Sequence, residues 1–327
     1  MTYSQADITV PYAVANFAEI RHKGYYYVDK TNYIPLLERY KAPVFLRPRR
    51  FGKSLLVSML AHYYDRNMAT QFEDLFGGTW IGEHPTNEHN QYLVVRYDFS
   101  TTSVASKKED IEKNFNAVNC SPLRTLVERN RDLFGDFRFR EDGNASNMLV
   151  EVCEFISSHN LPPLYILIDE YDNFTNQLLV VYKDSLYQDL TTGESFLRTF
   201  FKVIKAGIGE GTIRTCFCTG VLPVTMDDLT SGYNIAEMLT LKPEFTNLLG
   251  FTHEEAAQYL KYVINKYGPQ ASFEELWTLI LNNYDGYHFL PNAEPLFNST
   301  ILTYFLKNFA ELKGGIPTEM VDENLRT

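Results

Sequence analysis

The chain has little cysteine, and the spacing of what it has suggests no metal or redox module. Its four cysteines, Cys120, Cys153, Cys216 and Cys218, form no pair of CxxC motifs, which argues against a structural zinc site. They read as buried free thiols of a reducing cytoplasm, with Cys216 and Cys218 alternating along a strand so that both face one side. No apolar run approaches the roughly 20 residues that cross a bilayer. Residues 1–17 lack the basic start and apolar centre of a secretion signal. A cytoplasmic chain without a membrane segment is expected. Repeats and low-complexity tracts are missing too. Basic charge is scarce: 30 Lys and Arg stand against 41 Asp and Glu, a formal net charge of −11. A surface so acidic does not suit nucleic-acid binding over its whole extent.

What is there is ordinary globular material. The 327 residues are 45% apolar and 22% charged, enough to bury a core without covalent staples. Tyr and Phe are frequent, which predicts an aromatic-rich core. One stretch breaks the acidic trend: Arg39 to Ser54 holds six basic residues and no acidic one.

The order of elements predicts an α/β fold. A helix over 32–40 precedes a short apolar run, Pro43 to Leu46, that suits a buried strand. Leu55, Leu56, Met59, Leu60 and Tyr63 then recur at helical spacing. Residues 92–99 read as a second strand, with β-formers at Val94, Val95, Tyr97 and Phe99. Helices follow over 105–118, 121–133 and 146–158. After Pro162-Pro163, residues 164–168 form a continuous apolar run, as in a parallel strand covered on both faces. A helix over 196–206 and a strand over 213–219 complete the alternation. After about Gly250 the texture turns helical, with helices over 252–267, 272–283 and 298–312. The first starts at a capping box of Thr252 and Glu255. The expected division is 1–248 for the α/β part and 249–327 for a smaller helical or winged-helix-like part.

Between the first strand and its helix lies Arg47-Pro48-Arg49-Arg50-Phe51-Gly52-Lys53-Ser54. Its last three residues fit the phosphate-loop pattern G-x-x-x-x-G-K-[ST], while Arg47 replaces the first glycine. In such a loop backbone N–H groups and a helix N-terminus face phosphates. Lys53 would reach the β- and γ-phosphates, Ser54 would ligate Mg²⁺, and Gly52 would let the backbone come close. Arg49 and Arg50 either neutralise phosphate further or form a solvated basic turn. The strand Tyr165 to Ile168 ends in Asp169-Glu170, a Walker B pattern. Asp169 would share the Mg²⁺ with Ser54, and Glu170 would orient and deprotonate the attacking water. Asp172 is a further acid nearby. Thr219, at the end of the 213–219 strand, is a candidate γ-phosphate sensor or a plain turn residue. Arg198 and Arg214 are candidate arginine fingers, with a surface ion pair the stronger reading.

The ordered blocks of the chain resemble the AAA-ATPase-like family, found largely in bacteria and often followed by a PD-(D/E)xK nuclease-like domain. The resemblance rests on Phe17-x-x-Ile20-Arg21-x-x-Gly24-Tyr25-Tyr26-Tyr27-Val28-Asp29-Lys30-Thr31 and on Phe45 through Leu55. It continues with Ile168-Asp169-Glu170-Tyr171-Asp172, Thr219-Gly220-Val221, the block from Leu229 to Ile235, Leu249-Gly250-Phe251-Thr252 and Tyr284-Asp285-Gly286-Tyr287-His288-Phe289. It covers about residues 15–300, and an Arg at the position of Arg47 belongs to the family pattern. The resemblance implies a P-loop NTPase with a mainly parallel sheet flanked by helices, an extra sheet strand, a catalytic Glu and a smaller C-terminal helical lid. It places Tyr26 or Val28 where related ATPases contact the base, although plain core packing is the stronger reading. Tyr284 to Phe289 is expected to be a structural turn, with His288 packed or hydrogen-bonded. Glu311-Leu312-Lys313 has the bare acid-x-Lys spacing but reads as a solvated helix end. The nuclease-like domain is therefore expected to be missing from this chain.

The combined expectation is an ATPase. ATP with Mg²⁺ would be bound by Arg47 through Leu55 and hydrolysed with Lys53, Glu170 and Thr219, and a lid would respond. Two alternatives stay open: a nucleotide-gated interaction module with little turnover, and the ATPase part of a nuclease-linked protein. A homo-oligomer or protein partner is left open, nucleic acid is expected only through the missing domain, and ATP is not distinguished from GTP.

Overall fold

In the computed structural model, residues 9–102, 108–141, 143–173, 195–222 and 233–322 are described. Among the described residues five strands form one sheet: β1 (Pro43–Leu46), β2 (Leu93–Asp98), β3 (Leu164–Asp169), β4 (Ile213–Gly220) and β5 (Glu237–Met238). All neighbours are parallel, in the order β2-β3-β4-β1-β5. The α/β expectation holds, and the sheet is consistent with a P-loop-like arrangement. The four longer strands match the predicted ones within a residue or two. β5 has no signal in sequence, because it is two exposed residues held by main-chain bonds alone: Glu237 N–H donates to Ala42 O and Leu239 N–H to Val44 O, each at 2.9 Å.

The main helices are α1 (Phe17–His22), α2 (Lys53–Tyr64), α3 (Lys108–Arg129), α4 (Ala145–His159), α5 (Phe196–Glu210), α6 (His253–Tyr267), α7 (Phe273–Tyr284) and α8 (Ser299–Glu311). The helix expected over 32–40 is shorter, a 3-10 turn running into Ile34–Leu37. A larger difference lies in α3. The sequence suggests two helices broken near Pro122, but one helix runs through it. A proline inside a helix costs about 3 kcal/mol. Ile111 and Phe115 before it and Leu123, Leu126 and Val127 after it are all buried in one cluster. Each such side chain gains about 1.5–3 kcal/mol on burial, so packing carries the helix across the proline.

Strand alternation sorts the core onto the two faces of the sheet. Val44, Leu46, Ile166, Ile168, Cys216 and Cys218 face α3, α4 and α5. Phe45, Tyr165, Leu167 and Phe217 face Leu56, Val57, Leu60, Tyr63 and Tyr64 of α2. The two cysteines of β4 share a face as expected, their sulfurs 3.8 Å apart, and all four cysteines are buried and free. The parity that puts Leu167 and Phe217 against α2 also puts Asp169 and Thr219 on that side.

A third apolar cluster joins α6, α7 and α8 to Val10, Tyr26 and Val28 near the start of the chain. The capping box forms as expected: Thr252 Oγ1 accepts from Glu255 N–H and Glu255 Oε2 from Thr252 N–H. Two isolated antiparallel bridges, Phe251 with Phe297 and Tyr287 with Leu296, tie the inter-helix segments together. Glu311 ends α8 in an ion pair with Lys307, and Lys313 follows in a left-handed turn at φ 52°, so Glu311-Leu312-Lys313 is a helix terminus. Among the described residues no helix is long and apolar enough to cross a membrane. Replacing Thr252 with Ala should cost about 1 kcal/mol, read as a lower urea midpoint. An unchanged midpoint would mean the cap contributes nothing.

Candidate functional site

Parallel strands bring their C-terminal ends to one edge, and the candidate residues collect there. β1 runs into the 47–54 loop, β3 ends in Asp169 with Glu170 next, and β4 ends in Thr219-Gly220. Because β4 lies between β1 and β3, Thr219 stands between the loop and the carboxylates. Its partner in register on β1 is Phe45, and its Oγ1 donates to Asp169 Oδ1 at 2.6 Å.

The loop enters α2 through Gly52 in a left-handed conformation at φ 93°, and Arg50 is left-handed too, at φ 73°. Left-handed residues within a turn line up successive N–H groups into an anion-binding hollow. Three consecutive carbonyls of the loop are tied to residues far along the chain. Asn298 Nδ2 donates to Arg49 O at 3.2 Å. Arg50 O accepts from Thr300 N–H at 3.2 Å, Thr300 Oγ1 at 2.8 Å and Ser299 Oγ at 3.3 Å. Gly250 N–H donates to Phe51 O at 3.4 Å. Gly250 itself sits at φ 83°, and a Cβ there would lie 3.0 Å from both Phe297 O and the Phe51 ring. Phe51 is buried edge-on against Tyr287 and Phe289.

Lys53 is buried, and its ammonium donates to Arg47 O and Pro48 O, each at 3.0 Å. Burial pushes its pKa down, while Glu170, Asp169 and Asp172 oppose that shift. Arg47 lies elsewhere. Its guanidinium donates to the carbonyls of Leu46, Thr240 and Thr246 at 3.0–3.1 Å and stacks between the rings of Phe45 and Phe289. Burial lowers its pKa to about 10, which leaves it charged at neutral pH. Arg47 and Pro48 do not line the cavity described below; Arg49, Arg50, Phe51, Gly52, Lys53, Ser54 and Leu55 do.

On the acidic side Asp169 is buried, with its second oxygen 3.9 Å from Arg96 on β2. Glu170 is half-buried and held in the left-handed region at φ 50°, which costs a residue with a Cβ about 1–2 kcal/mol. Asn173 Nδ2 donates to Glu170 Oε2 at 2.8 Å. Asp172 turns away from the cavity and accepts from Val221 N–H and Leu222 N–H at 2.9 and 2.7 Å, clamping the end of β4. Gly220 allows this approach, since a Cβ there would lie 2.5 Å from Asp172 Oδ1.

A cavity of about 660 Å³ opens on this region, although Asp169, Asp172 and Thr219 do not line it. Residues 49–55 and Glu170 line it, together with Ile20, Tyr26, Val28, Lys30, Leu248 to Phe251, Tyr259, Ser299, Thr300 and Thr303. Tyr26 is stacked on Tyr259 at 4.1 Å and leans on Tyr262, and it also lines the cavity. Lys30 forms a buried ion pair with Glu255 of the capping box and donates to Asn247 O at 2.8 Å. Arg214 pairs with Glu88 at 3.0 Å near the opposite edge of the sheet. His288 is exposed and bonded through Nδ1 to Gly286 O at 3.3 Å. Of the resemblance block from Leu229 to Ile235, residues 229–232 lie outside the described residues.

Arg96, Asn298, Ser299 and Thr300 carry no motif in the sequence, and Gly250 stands there only within the block Leu249-Gly250-Phe251-Thr252, with no role; Gly250 and residues 298–300 lie more than 190 positions from the loop. Arg47→Gly restores the generic loop pattern, yet it would strip the Thr240 and Thr246 carbonyls of their donor. We expect a loss of about 2–4 kcal/mol in chemical denaturation. A neutral or stabilising outcome would refute the structural role of Arg47.

Two comparisons bear on this geometry. The chain is 26% identical over 255 residues to a protein of Azotobacter chroococcum mcd 1 described as "Uncharacterized protein in vnfD 5'region"; the match covers 75% of this chain and 43% of that protein. The chain thus spans less than half the length of that relative. The family described as predicted AAA-ATPase matches residues 11–230, a span that includes the 47–54 loop, Asp169, Glu170 and Thr219. By that match, over more than half of its length, the chain belongs to the AAA-ATPase-like family.

Proposed function

We propose that the chain binds and hydrolyses ATP with Mg²⁺, using residues 47–55 as a variant P-loop. The observation that carries this reading is the meeting of a left-handed Gly52-Lys53 helix entry with Asp169, Glu170 and Thr219 at one sheet edge, beside a cavity of about 660 Å³. That volume is in the range of ligand sites. The N–H groups of the loop and of the first turn of α2 would hold the phosphates. The Lys53 ammonium would leave the Arg47 and Pro48 carbonyls for the phosphate oxygens.

The donor set fits Mg²⁺. Among the described residues no group of three or more His, Cys, Asp and Glu could cage a metal. Mg²⁺ is commonly held by one or two carboxylates together with substrate phosphates, and Asp169 with the Ser54 hydroxyl would serve here. Bound there, the ion supplies charge neutralisation at the phosphates. Thr219 orients Asp169 by its hydrogen bond and so acts on the same centre. Glu170 would accept the proton of the attacking water. Its left-handed backbone is a strained feature of the kind that collects at working sites. Residues 249–327 would act as the lid, with the boundary near 248.

The second reading, a nucleotide-gated module with little turnover, is favoured by the hydrogen bond that Asn173 gives the Glu170 carboxylate. Lys53→Ala should abolish ATP binding in calorimetry; unchanged affinity would sink the site assignment. Wild type should release phosphate steadily, and Glu170→Gln should stop release while keeping binding. Tight binding by wild type without phosphate release would favour the gated module.

A further inference from the structure

The family match ends at residue 230, yet the groups that brace the loop lie beyond it, at 250 and 298–300. We propose that Asn298, Ser299 and Thr300, at the start of α8, are positioning residues of the nucleotide site. They would set the phosphate-facing side of the loop from the C-terminal helices. The inference rests on the reading of the loop as a triphosphate cradle.

In a planar trans peptide the C=O and N–H point in opposite directions. Tying Arg49 O to Asn298 fixes the 49–50 peptide, so the Arg50 N–H points away from α8. Tying Arg50 O to Ser299 and Thr300 does the same for Phe51 N–H. Tying Phe51 O to Gly250 does so for Gly52 N–H. Three carbonyls held on one side leave three N–H groups turned to the other, the arrangement that receives an anion. Among the described residues no carbonyl or side chain accepts from the N–H of Phe51 or Gly52.

The bracing is strongest where the backbone is least content. Arg50 has a Cβ and a left-handed φ of 73°, and its carbonyl collects three donors. Without them the 50–51 peptide is free to flip. A flip would turn Phe51 N–H outward and bring a carbonyl oxygen to face the phosphates, which repels them. Thr300 contributes two of the three donors, so it is the residue whose loss should matter most. Coupling of this kind is reciprocal. If α8 holds the loop ready for phosphate, bound phosphate must hold the loop more firmly to α8. The first turn of α8 then registers whether the site is filled.

The test compares wild type, Thr300→Val and Thr300→Ser by Mg-ATP calorimetry, with amide hydrogen exchange across 298–303. Thr300→Val should weaken binding roughly tenfold, while Thr300→Ser, which keeps both donors, stays near wild type. In wild type Mg-ATP should slow exchange at the Thr300 amide, and in Lys53→Ala it should not. A merely structural role of Thr300 would leave that exchange unmoved by nucleotide. If wild type binds no nucleotide, the cradle reading itself fails. If wild type binds, Thr300→Val binds equally well and exchange at Thr300 is unmoved, only the positioning role is overturned. Should Thr300→Val not fold, exchange in wild type decides alone.

Discussion

The site depends on a set of hydrogen bonds that point the wrong way for a ligand. Donors from Gly250, Asn298, Ser299 and Thr300 converge on the outer carbonyls of Arg49, Arg50 and Phe51. Those carbonyls would otherwise compete for the hollow that the N–H groups line. Arg47 performs a related task two residues earlier, since its guanidinium ties the end of β1 to the carbonyls of Thr240 and Thr246. The loop is thus shaped from outside its own sequence, by the segment that closes the sheet and by the helices after it.

This changes how the motif is to be read. In the generic pattern a glycine relieves the first turn of the loop. Here that position holds an arginine whose side chain is buried between two aromatic rings. Both terminal nitrogens of the buried guanidinium donate to main-chain oxygens that themselves need partners, while its Nε is buried without an acceptor among the described residues. Asp172 likewise accepts from main-chain groups, Val221 N–H and Leu222 N–H. Arg47 and Asp172 thus both tie main-chain groups of neighbouring segments together.

Legibility followed how local each signal is. The four longer strands, the helix after the loop and the Thr252–Glu255 cap were readable, because each rests on periodicity or on spacing within a few residues. Asp169, Thr219 and Lys53 were readable as well, because a parallel sheet sends strand ends to one edge whatever the strand order. The continuity of α3 through Pro122 was not, since burial on both sides of the proline outweighs its local cost. β5 was not, since two residues carry no pattern. Arg96 and the 298–300 brace were invisible for a third reason: they act across space on groups distant in sequence, and a single Thr or Asn announces nothing.

The central claim is that the Arg49–Leu55 segment is built for the phosphates of a nucleotide rather than for its base. Calorimetric titration of the wild-type chain with Mg-ATP and with AMP tests this most directly. The account predicts that ATP binds at least roughly tenfold more tightly than AMP, since AMP lacks the groups that Lys53 and the loop would hold. Equal affinity for the two, or binding of neither, would contradict it.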